Sequence, residues 1–191
     1  CREKVVAWTV TSGDNSDFIA AALDNLAALY RENSRPDDAI AKYREALAVR
    51  EKAPKPSAAL IATSQLKLAE CLTLAHRDAE AEPLLFAAFA TQAKLLGTDN
   101  PNIQETKKKL ALCYRNQKKF ASAEILFKEL LATIKKHIER SRTSLVWMDE
   151  LCYAEELGDL IDIYMRQTKW ADAIPLSQQL LATDQSIPSN Y

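Results

Sequence analysis

The chain has 191 residues, with 25 basic against 26 acidic side chains, 48% hydrophobic residues and three glycines. So even a charge balance argues against the broad basic footprint that nucleic acid requires, and no apolar run approaches the roughly 20 residues that span a bilayer. Three isolated glycines cannot build a phosphate-cradling loop, while abundant alanine and leucine favour helix.

From the first residue the chain is already in a repeat. Gly13 lies 84 residues before Gly97, which places Cys1 to Ser12 in register with Leu85 to Leu96. Residues 1–12 therefore read as the end of a helix from a preceding repeat. Cys1 opens the chain without a methionine. That start fits an acylated bacterial lipoprotein facing the periplasm, the alternative to a cytoplasmic chain.

Four copies of one pattern follow. Copy one (18–53) sets Leu26-Ala27 before Tyr30, with Ala39 nine residues later. Copy two (57–96) repeats this as Leu68-Ala69, Leu72 and Ala81, and copy three (101–139) as Leu110-Ala111, Tyr114 and Ala123. Copy four (145–185) has Leu160-Ile161, Tyr164 and Ala173, and residues 186–191 form a tail. The anchor leucines at 26, 68 and 110 are 42 residues apart, and the fourth, at 160, follows after 50. A fixed period of this size specifies an all-α solenoid of antiparallel helix pairs, each too small to bury its own apolar face. The extra eight residues, between Ile134 and Glu156, read as longer flanking helices carrying Trp147 and Met148.

Local signals agree. Asp37, Asp78 and Ser122 sit near the starts of second helices, where a short acceptor can cap free N–H groups. Gly97-Thr98-Asp99-Asn100-Pro101 supplies a helix-ending glycine, a cap and a proline to open the next helix. Cys71 and Cys113 share one repeat position on neighbouring first helices. The expected 8–10 Å interhelical spacing is too wide for a disulfide, so they are expected as buried thiols, which favours a reducing compartment.

The leucine, small residue, aromatic, alanine, aromatic, alanine series resembles the tetratricopeptide repeat over about residues 18 to 185, and its 42-residue period resembles the kinesin-light-chain subtype. Arg50-Glu51-Lys52, Leu96-Gly97-Thr98-Asp99-Asn100-Pro101 and Ala81-Glu82-Pro83-Leu84 are similar to that subtype's local motifs. A HEAT-type helix-pair solenoid, with a similar period, is the alternative fold, and the constant nine-residue gap across the turn favours the tetratricopeptide pattern. The resemblance implies a right-handed superhelix with a concave groove lined by first helices. It also implies a scaffold that binds a peptide or helix of a partner protein; since the glycines, histidines and carboxylates form no catalytic or ligand-binding pattern, no enzyme activity or cofactor is expected. Asn25, Arg31, Lys67, Glu70, Lys108, Lys109, Arg115, Asp162 and Arg166 are the groove residues it points to. Their basic middle suggests an acidic partner near Lys67, Lys108, Lys109 and Arg115. A chaperone-tail clamp is not expected, because Asp24 and Ala28 occupy its first positions and Lys67 stands where it uses asparagine.

Two histidines, His76 and His137, stand apart from each other and from any cysteine pair, so no metal site is expected. Phe86 occupies a position taken by Arg44, Lys128 and Gln178 in the other copies. It is therefore expected to face outward, as a convex interface for self-association or for a partner, unless neighbouring side chains cover it. The rival function is an assembly unit that oligomerises through uncapped solenoid ends.

Overall fold

A computed structural model describes residues 15–97, 100–140 and 146–184. Among these lie eight helices: α1 (Ser16–Glu32), α2 (Pro36–Glu51), α3 (Ala58–Leu74), α4 (Asp78–Leu96), α5 (Pro101–Asn116), α6 (Phe120–Arg140), α7 (Val146–Arg166) and α8 (Trp170–Asp184). They form two compact units, Cys1–Thr106 and Lys107–Tyr191, whose boundary falls inside α5. In the first unit α1 packs on α2, α2 on α3 and α3 on α4; in the second α6 packs on α7 and α7 on α8. The expectations for residues 1–12, Cys1 and the tail at 186–191 lie outside the described residues.

Within each pair, alanines set how closely the helices approach. Ala27 and Ala39, Ala69 and Ala81, and Ala111 and Ala123 have no exposed surface, and Tyr43, Leu85 and Phe127 fill the space one turn further along. Leu130 is fully buried at the place Ala46 and Ala88 take in the first two copies. In copy four the aromatic position is Ser177, whose hydroxyl donates back to the Ala173 carbonyl at 2.9 Å. The extra residues before copy four lengthen both flanking helices, α6 and α7, to 21 residues each. Trp147 and Met148 lie on α7.

The turns inside the pairs share one backbone device. Ser34, His76, Lys118 and Thr168 adopt positive φ values of 56, 57, 61 and 58°. In each case the next residue's N–H reaches back five residues, from Arg35 to Tyr30 and from Arg77 to Leu72 at 2.9 and 2.8 Å. Lys119 to Tyr114 and Lys169 to Tyr164 close the same ring at 2.9 Å. This is the Schellman ending of a helix, which glycine normally provides because a Cβ is disfavoured there. Here four different residues take it.

The expected side-chain caps on α2 and α4 are not used. The cap residues are Arg35 and Arg77, and neither makes a side-chain cap bond. Asp37 and Asp78 instead sit inside the first turn, where a negative charge complements the helix dipole. Each arginine folds forward onto an acid three residues on, Arg35 to Asp38 at 2.8 Å and Arg77 to Glu80 at 2.7 Å. The loop before α5 behaves as expected: Gly97 ends α4 at φ 78° and the Asn100 side chain accepts from the Asn102 N–H at 2.9 Å.

Two ends of the apolar pattern differ. Leu68, Leu110 and Leu160 are buried, but the first anchor, Leu26, is 38% exposed, and Leu29 is more so. Leu29 takes the repeat position of Cys71, Cys113 and Ile163, all without exposed surface. Those equivalents lie on helices that follow another helix pair in the chain. No described helix precedes α1.

Candidate functional site

In the first unit Lys67, just before the anchor Leu68, does not stand apart in solvent. Asp24 on α1 is 3% exposed and its carboxylate accepts from Arg50 Nη1 of α2 at 3.0 Å and from Lys67 Nζ of α3 at 2.9 Å. Arg50, itself buried, also donates to the hydroxyl of Ser64 on α3. Three helices are thus tied by one buried cluster. Further along, Arg31 of α1 faces Glu70 of α3 at 3.9 Å. Asn25 is exposed.

The second unit builds a similar rung between α5 and α7. Lys108 Nζ meets Glu155 at 3.0 Å and Glu156 at 2.9 Å. Arg115 donates to Asp159 and lies 3.9 Å from Asp162. Arg166 holds Asp162 from within α7 at 2.7 Å. Lys109 is half-buried. The pairs Arg31–Glu70 and Arg115–Asp162 occupy the same repeat positions and have the same separation.

Electrostatics follow from burial. For Lys108, burial alone favours loss of the proton, but hydrogen bonds to Glu156 and Glu155 outweigh it and raise its pKa far above the ordinary lysine value. Glu156 is buried, and that burial raises its pKa despite the Lys108 hydrogen bond. Its second oxygen, Oε2, has no hydrogen-bond partner. The lysine is therefore doubly satisfied at the expense of a desolvated carboxylate.

The basic middle expected at Lys67, Lys108, Lys109 and Arg115 is consequently not bare positive charge. Lys67, Lys108 and Arg115 each meet carboxylates on a neighbouring first helix of their own unit. Sequence reasoning missed the buried partners Asp24, Arg50, Ser64 and Glu156. A signal was present: Ser64, Thr106 and Glu156 hold one repeat position, a polar place on an otherwise apolar face. Thr106 there bonds Gln92 of α4 at 2.7 Å, as Ser64 bonds Arg50 of α2, fourteen residues before it in each case.

Phe86 does point outward, at 59% exposure, on α4. Cys71 and Cys113 are buried thiols, not half-cystines, and burial pushes the Cys71 pKa up. Between α6, α7 and α8 lies a shallow cavity of about 350 Å³ lined by Leu131, Leu157, Leu160, Tyr153 and Tyr164, with Lys128 and Asp172 beside them. Among the described residues no group of His, Cys, Asp and Glu is arranged to hold a metal, and no helix is long and apolar enough to cross a membrane.

Comparison with known proteins places this geometry. Two tetratricopeptide repeat models match the sequence, over residues 19–53 and 60–136. No curated protein sequence matches it. A kinesin-light-chain-like protein of nearly identical TPR-like repeats from Podosopora anserina superposes with a TM-score of 0.72 at 22% identity, over 89% of this chain and 77% of that one. BtubC (BKLC) from P. vanneervenii gives 0.77 at 16% identity, over 93% and 67%. The apo form of RapI gives 0.69 at 11%, over 96% of this chain but 47% of its own. At these identities the likeness is one of fold.

Proposed function

The chain belongs to the tetratricopeptide repeat family, whose repeats form protein–protein interaction scaffolds, and on that premise we propose that it is a non-catalytic docking module. It holds an extended or helical segment of a partner protein on the face made by its first helices. The observation that carries the reading is the pair of equivalent, partly exposed ion pairs, Arg31–Glu70 and Arg115–Asp162. Each unit presents a preformed donor and acceptor: Arg31 and Glu70 stand 3.9 Å apart in the first, while in the second Arg115 also holds Asp159 and Asp162 also meets Arg166. An arriving segment can exchange into them without exposing a buried charge. Charges placed in this way set selectivity and encounter rate more than affinity, which apolar burial supplies.

An acidic segment is the guest this reading favours, with Lys67 offered to it in the first unit and Lys108, Lys109 and Arg115 in the second. It must compete with the chain's own carboxylates, with Asp24 for Lys67 and with Glu155 for Lys108. The expected consequence is modest, salt-sensitive affinity. A cytoplasmic location is part of the proposal and rests on the buried thiols.

The test uses an Asp/Glu-rich dodecapeptide titrated by fluorescence anisotropy against the wild type and Lys67→Ala/Lys109→Glu. These substitutions leave Asp24 with Arg50 and spare the Glu156 cluster. Binding at least tenfold weaker, with an unchanged thermal melt, supports the acidic guest. An unchanged Kd removes both lysines from the site.

A further inference from the structure

The outward face of α4 differs in chemistry from those of α2 and α6. Ala79, Pro83, Phe86, Ala90 and Ala93 follow each other at helical spacing, opposite the buried Ala81, Leu85 and Ala88. All five are exposed or half-exposed, and none is charged. The same five positions on α2 include Asp37, Arg44 and Glu51, and on α6 Lys128 and Lys135. A charge-free run extends from Pro83 to Ala93, with an exposed phenylalanine near its middle. A strip of this kind, rimmed by charge, is the signature of a contact surface.

We propose that two copies of this chain pair through α4, antiparallel, with the two-fold axis at Phe86. The face is self-complementary about that residue. Ala79 lies seven positions before Phe86 and Ala93 seven after, so each alanine of one copy meets the other alanine of its mate. Small side chains at both places let the helices approach closely. The charges are antisymmetric in the same frame. Asp78, Glu80 and Glu82 stand in the first turns, and the exposed Lys94 stands in the last, eight positions beyond Phe86 as Asp78 is eight before it. Antiparallel pairing brings each lysine to the level of the other copy's acidic first turn, on the flank that carries Glu80; parallel pairing would set like against like. Glu80 is also held by Arg44 and Arg77 within the chain, so the contact rests on the turn as a whole.

Pro83 adds a further feature. Lacking an N–H, it deprives the Ala79 carbonyl of its helical donor on this same face. In the antiparallel pair that carbonyl lies beside the partner's Lys94. An isologous contact demands this kind of two-fold match, which a chance apolar strip does not supply. One helix on one helix buries less than the roughly 800 Å² per partner of a stable interface, so the dimer is weak and concentration-dependent.

Sedimentation equilibrium from micromolar to millimolar chain tests this. The expected result is a monomer–dimer equilibrium whose association weakens at least tenfold in Phe86→Lys, with helicity and melting unchanged, and weakens in Lys94→Glu. The orientation is tested in a Cys1→Ser/Cys152→Ser background by mixing Ala79→Cys with Ala93→Cys under mild oxidation. Mixed disulfides in excess of either homodimer support the antiparallel pair. A monomer throughout, a dimer indifferent to Phe86→Lys, or homodimers as abundant as the mixed species would each overturn it.

Discussion

Removing Asp24 should damage this protein more than any groove substitution. Arg50 is 6% exposed, and its two acceptors are the Asp24 carboxylate at 3.0 Å and the Ser64 hydroxyl. In Asp24→Ala the serine alone remains, and it carries no charge. Stranding a buried charge by deleting its partner costs about 3–5 kcal/mol. Lys67 loses the same carboxylate, but its side chain is 41% exposed and can turn to water, so its share is a surface pair's, about 0.2–1 kcal/mol. The cluster is also incompletely satisfied, since Asp24 Oδ1 and Arg50 Nε lack hydrogen-bond partners. Replacing both ions should therefore be tolerated: Asp24→Leu/Arg50→Met is expected within about 1 kcal/mol of the wild type, or above it. Urea melts followed by helical circular dichroism measure both variants. A loss below 1 kcal/mol in Asp24→Ala, or a double variant worse than the single, would refute the reasoning.

Two further outcomes follow from the turns and from the second unit. Lys118→Gly relieves a left-handed residue at φ 61°. It should stabilise by about 0.5–1 kcal/mol, the strain removed less glycine's added entropy in the unfolded chain; a lower urea midpoint would contradict the turn assignment. Glu156, with its pKa raised by burial, binds its proton more tightly folded than unfolded. Its contribution to stability therefore falls as pH rises from the ordinary glutamate value through the raised one. Glu156→Gln should flatten that part of the urea midpoint's pH profile, and an unaltered profile would place the titration elsewhere.

Much of the fold was legible because its determinants are local and periodic. Ala27, Ala39, Ala69, Ala81, Ala111 and Ala123 are small for one geometric reason, and counting residues finds them. The lengthened helices on either side of the connection before copy four, α6 and α7, were legible for the same reason. The turns were harder to read. Ser34, His76, Lys118 and Thr168 take a conformation that glycine would have announced, so only the backbone shows it. The candidate site was legible as a set of positions but not as a charge pattern. Lys67 and Lys108 look like free cations in the sequence, because Asp24 and Glu155 lie 43 and 47 residues away. Arg50 was read as part of a terminal motif, whereas its guanidinium is a buried tie to the next helix pair. Pairing across helices depends on which rotamer meets which neighbour, and a repeat period does not encode that.

The place shared by Ala22, Ser64, Thr106 and Glu156 has a consequence for the order of the copies. Each later occupant meets a different mate: Arg50, Gln92 and Lys108 respectively. The junctions are thus keyed by single polar positions within their apolar seams. Excising copy two would bring Arg50 to Thr106, another hydroxyl, and the joint could close. Excising copy three would remove Lys108 and leave the Glu156 carboxylate facing a glutamine amide. Such an array is expected to be shortened more cheaply at one seam than at the next, because of chemistry at single buried positions.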